Sequence, residues 1–127
     1  MKVKDISQST DLNNYIGIPW VTDGHSLEGC DCWGLFRLFY RNEYQINLPG
    51  LTSGEAMYGA WTKVDTPIVG DLLLFRTTEG PHVGIALSKT EMLHVDKCTT
   101  SRIENFKGLA WKNRLRRIYR HRQRNSA

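Results

Sequence analysis

The 127 residues contain only three cysteines, and two of them, Cys30 and Cys32, stand one residue apart. That excludes the multi-bridge framework with which small secreted domains supplement a thin core, and a Cys30–Cys32 bridge would be strained. No apolar run approaches the ~20 residues that a bilayer span requires. The start, Met1-Lys2-Val3-Lys4-Asp5, is polar and lacks the apolar stretch of a secretory signal, so the expectation is a chain made without a cleaved leader. Repeats and long linkers are also missing, which points to one domain over 1–127 with a basic extension from about residue 120. Acids are absent from the last stretch. From Trp111 onward there are seven of the 17 basic residues and none of the 13 acids, leaving the preceding residues with ten basic against 13 acidic. The basicity therefore belongs to the end of the chain and reads as a solvated strand and tail. No nucleic-acid reading motif accompanies it, so no nucleic-acid partner is expected.

What is present falls into two blocks. Thr10 to Tyr15 reads as a short helix closed by Gly17 and Pro19, and Trp20 to Cys30 as an irregular loop. Asp31 is a good N-cap. Behind it Cys32, Leu35, Phe36 and Phe39 share one helical face at spacings of three and four, predicting a helix to about Asn42. Thr52-Ser53-Gly54-Glu55 has the form of a capping box for a second helix ending near Trp61. After Pro67 the pattern becomes strand-like: Leu72 to Arg76, His82 to Leu87 and Glu91 to Asp96, with weaker signals at Ile103 to Phe106 and Leu115 to Arg120. Helices first and an antiparallel sheet afterwards predict an α+β domain.

The chemistry concentrates on Cys32, His82 and His94. A thiol in the first helical turn meets unpaired backbone N–H groups and the positive end of the helix dipole, both of which favour the thiolate. The N–H groups near it are candidates for an oxyanion hole. Strand alternation puts His82, Gly84 and Ala86 on one face, and His94 on a face with Met92 and Asp96. With residues 88 to 90 as the loop, Leu87 pairs with Glu91 and Gly84 with His94, so the two histidines meet diagonally. Gly84 leaves room for the His94 ring to lean towards His82, and a slip of one residue would separate the rings. A thiol, a base and an orienter for that base are the parts of a cysteine hydrolase. Zinc is the rival chemistry for Cys30, Cys32, His82, His94 and Cys98, but the Cys-x-Cys spacing has no matching second pair.

These motifs resemble the NlpC-like family of papain-like cysteine peptidases, which cut bacterial cell-wall peptides. The resemblance runs from about Tyr15 to Tyr119 and rests on Asp31-Cys32-Trp33-Gly34-Leu35, Leu48-Pro49, Gly70-Asp71-Leu72 and His82-Val83-Gly84-Ile85, with His94 as the third polar residue. It implies a papain-like fold with N-terminal helices on a central antiparallel sheet. It also implies hydrolysis of the bond between D-glutamate and a diamino acid in the peptidoglycan stem. By the same resemblance Cys32 attacks, His82 moves the proton and His94 orients His82, with no metal or cofactor. Asp31, Trp20 and Trp33 are the implied substrate-binding residues. Trp33, where many wall enzymes carry Ser, is most similar to the versions in bacteriophage tail proteins, which implies tail proteins as partners and a place in the virion tail. A non-catalytic tail assembly protein retaining the fold is the alternative. Trp20 stands where many members have the Tyr of a Pro-Tyr element.

Overall fold

The computed structural model describes residues 11–50 and 59–123. Asp11 caps a single 3₁₀ turn, Leu12–Tyr15, by accepting from the Asn13 N–H, so the first expected helix is shorter and tighter than an α-helix. Trp20 to Cys30 is not irregular. It holds a two-residue antiparallel ladder between β1 (His25–Ser26) and β2 (Gly29–Cys30). Alternation is invisible in strands this short.

The helix α1 spans Cys32–Tyr44. The Asp31 carboxylate caps it, accepting from the Gly34 N–H at 2.7 Å. Gln45 in the left-handed region ends it, its N–H returning to the Tyr40 carbonyl. Gly34 is required there: a Cβ would lie 1.7 Å from the Gly24 carbonyl oxygen. The capping-box segment lies outside the described residues; Gly59 and Ala60 are helical, as expected for the end of a second helix near Trp61, and Trp61 itself opens a strand. No helix among the described residues is long and apolar enough to cross a membrane.

Six strands form one antiparallel sheet: β3 (Trp61–Lys63), β4 (Leu72–Thr77), β5 (Gly80–Ala86), β6 (Glu91–His94), β7 (Arg102–Asn105) and β8 (Leu115–His121), in the order β3-β8-β4-β5-β6-β7. The fold is α+β and papain-like. One face of the sheet carries Leu72, Ile85 and Leu93 against Leu35, Phe36 and Phe39 of α1. The other carries Leu73, Phe75, Ala86 and Met92, closed by Phe106 and Trp111. Buried Asp71 clamps the start of β4 to β8, its carboxylate accepting from Arg120 Nη2 at 2.8 Å and from the Ile68 N–H at 2.8 Å.

β5 and β6 pair in the register set by the short loop, Ile85↔Leu93 and Ala86↔Met92, with the Leu87 N–H on the Glu91 carbonyl. That register sets Gly84 opposite His94. The room at Gly84 is taken by sulfur rather than by the His94 ring: a Cβ there would meet Met92 Sδ at 2.7 Å, whereas His94 Cβ lies 3.6 Å away.

Candidate active site

Cys32, the first residue of α1, and His82, on β5, line one cleft of about 700 Å³, together with Trp20, Asp96, Glu104 and Trp111. Local structure explains how the helix start reaches the sheet. A continued β5–β6 ladder would give the Val83 N–H to Val95, but pairing stops at Ile85↔Leu93. The Val83 N–H acts instead on the Cys32 thiol, alongside the N–H groups of Trp33 and Cys32 itself. These three lower the thiol pKa, the sense expected of a helix N-terminus. They do not win. Burial raises it, the Asp31 charge adds to the rise, and the thiol stands above its ordinary value. The thiol of the free site is therefore protonated at neutral pH, contrary to the thiolate expected from the helix position alone.

His82 and His94 are both buried and on the same face, with His82 Nε2 2.9 Å from His94 Nδ1. Burial, then the neighbouring His94, pushes His82 down to about 4. Burial also lowers His94, partly opposed by its hydrogen bond to Glu104. Both rings are neutral at pH 7, so His82 is free to accept a proton.

Three residues around the pair carry no motif. Trp111 stacks on His82 (centroids 5.2 Å, 24°) and stands edge-on to His94 (5.0 Å, 88°), covering the bond between the rings. Glu104 Oε1 lies 2.8 Å from His94 Nε2 and 3.1 Å from Arg102 Nη2. Arg102 Nη1 donates to Asp96 Oδ1 at 2.9 Å. Burial would raise both carboxyls, but hydrogen bonds from Arg102 and Thr99 hold Asp96 at about 2, and the one from His94 keeps Glu104 below its ordinary value. Only the β6–β7 register, Met92↔Glu104 and His94↔Arg102, brings this chain of charges behind His94. A faint signal existed in the alternation of Arg102 and Glu104 beside Ile103.

The remaining expected residues divide. Trp20 reaches the cleft because its loop is stitched down: its N–H donates to Thr99, the Ser101 N–H to Ile18, and the Cys30 N–H to Pro19. Asp31 and Trp33 line a separate, smaller hollow with Arg37 and Gly50. Both oxygens of Asp31 are committed to backbone N–H groups, those of Gly34 and Asp23. The Trp33 indole donates to the Pro49 and Gly50 carbonyls and stacks on Phe36. These contacts give Asp31 and Trp33 a role in seating the helix rather than in facing the cleft. Cys30 is buried, Cys98 exposed, and all three cysteines are free thiols.

Comparison with known proteins agrees with this architecture. Residues 17–120 match the model of the NlpC/P60 family. A probable endopeptidase of Haemophilus influenzae is 33% identical over 89 residues, covering 68% of this chain and 55% of that protein. The murein DD-endopeptidase MepS/murein LD-carboxypeptidase of Escherichia coli K12 is 27% identical over 99 residues, covering 77% and 53%. The chain thus spans about half the length of the curated relatives it matches. The crystal structure of the NlpC/p60 domain of the peptidoglycan hydrolase SagA has the same fold, with a TM-score of 0.71 over 93% of this chain and 99% of that one, at 24% identity.

Proposed function

The chain belongs to the NlpC/P60 family, and on that premise we propose that it is a cysteine endopeptidase that hydrolyses peptidoglycan stem peptides through Cys32, His82 and His94. The observation that carries the reading is a single cleft lined by a half-buried thiol and a neutral imidazole, the imidazole braced at 2.9 Å by a second ring. Because thiol and imidazole are both uncharged before substrate arrives, the proton moves as the bond forms. Cys32 Sγ adds to the amide carbon while His82 takes the thiol proton. The C–N bond then breaks, and His82 returns that proton to the leaving amine, giving a thioester. Water next adds to the thioester carbon with His82 again as base, the S–C bond breaks, and the proton goes back to the sulfur. The N–H groups of Cys32 and Trp33, left free by the Asp31 cap and directed at the sulfur, are suited to the developing oxyanion.

Trp20 walls the cleft, which also carries Glu79 and Lys97. Side chains of both signs suit a stem peptide bearing carboxylates and a free amine, and the bond cut is the one between D-glutamate and the diamino acid. The setting in a phage tail, with other tail proteins as partners, belongs to the same proposal. It rests on the resemblance of the Cys32-Trp33 pair, and immunodetection on purified virions tests it. The catalytic proposal is tested by mass spectrometry of muropeptides after digestion. Wild type releases fragments ending at the D-glutamyl bond, and Cys32→Ala lowers the rate by about 10³-fold or more. A Cys32→Ala variant that digests as fast as wild type refutes it.

A further inference from the structure

The two histidines leave one choice open, namely which ring nitrogen carries each proton, and that choice decides whether His82 can act as a base. Glu104 closes it. Its carboxyl is held below the ordinary value and is therefore ionised at neutral pH, so it only accepts hydrogen bonds. The atom facing it at 2.8 Å is His94 Nε2, which must then carry the single N–H of a neutral imidazole. His94 Nδ1 is left as a bare acceptor. The atom facing that nitrogen at 2.9 Å is His82 Nε2, which must donate and so holds the proton of its own ring. His82 Nδ1 is then the one ring nitrogen of the pair with a lone pair to spare. Arg102 fixes the far end, bonding Glu104 at 3.1 Å and Asp96 at 2.9 Å.

We propose that Glu104 is a positioning residue that sets the tautomer of His94, and through it that of His82, so that His82 Nδ1 is the nitrogen available to take the thiol proton. The proposal rests on the reading of the cleft as a Cys–His site, yet its central claim concerns proton positions and is measurable without turnover.

The test uses the full chain with ¹⁵N-labelled histidine, recording long-range ¹H–¹⁵N correlations near neutral pH. In wild type both His82 and His94 should be protonated at Nε2. A wild-type His94 protonated at Nδ1 overturns the proposal, whatever the variants do. Glu104→Gln keeps the size but replaces an acceptor-only group with an amide that can also donate, so the Nε2–H form of His94 should give way to a mixture. Glu104→Asp, which keeps the carboxylate, should preserve the tautomer. On a peptidoglycan substrate Glu104→Gln should lower kcat by about 10–100-fold with KM little changed, because an imidazole in the wrong tautomer binds no substrate worse but cannot accept the proton. Unchanged tautomers together with a wild-type kcat in Glu104→Gln refute the role. If Cys32→Ala still digests the substrate, the Cys–His reading fails separately, and the tautomer spectra still judge Glu104.

Discussion

Acidification should unfold this protein through His82, well before its carboxylates contribute. The ring is 6% exposed, and burial with the adjacent His94 sets its pKa at about 4 in the folded state, against about 6.5 in the unfolded chain. Between those two values the unfolded state binds the extra proton, so stability falls as pH is lowered through that window. Integrating the linkage from about pH 7 to about pH 5 gives a loss of about 2 kcal/mol from His82 alone, rising to about 3 kcal/mol near pH 4. His94 is displaced in the same direction and adds to the loss. Asp96, held at about 2, loses its contribution only in more acidic solution. Urea denaturation at the two pH values measures the effect. His82→Gln, which keeps an N–H to face His94, should show a pH-dependent loss smaller by about 2 kcal/mol. Equal losses in both proteins, or an NMR titration of His82 with its midpoint at or above about 6.5, would refute burial as the dominant influence on this ring.

Two further substitutions probe how the site is held. Asp31→Ala removes the acceptor for two backbone N–H groups and should cost about 1–2 kcal/mol in thermal or chemical denaturation. It should also lower the Cys32 pKa by deleting a nearby negative charge, read as faster alkylation of Cys32 at neutral pH by peptide mass spectrometry. Gly84→Ala drives a methyl to within 2.7 Å of fully buried Met92 Sδ and should cost about 1–3 kcal/mol. A stability equal to wild type would mean that the space opposite His94 is empty after all.

Much of the framework was legible in local patterns. The start of α1 follows from an Asp cap and from apolar and aromatic residues at helical spacing. Those interactions span a few residues, so a linear reading captures them. The meeting of His82 and His94 was legible for a similar reason: a loop at residues 88 to 90 and period-two alternation leave one register that keeps both rings on a buried face. The β1–β2 ladder was not, since two residues per strand carry no periodicity. Nor was the double anchoring of the Trp33 indole on Pro49 and Gly50, which makes it a brace for the helix.

The sequence by itself determined the sheet parity, the helix start and the motif residues that identify the family, because each depends on neighbours in the chain or across one short hairpin. Only the tertiary structure decided how these parts act together. The β5–β6 ladder stops where α1 arrives, turning the Val83 N–H onto the sulfur. A register with β7 sets Glu104 behind His94, and a distant turn lays Trp111 over both rings. The charge state of Cys32 was decided there as well. The helix terminus pulls towards thiolate through a few fixed N–H groups, but desolvation is set by every atom packed around the sulfur, and those atoms come from residues far apart in the chain.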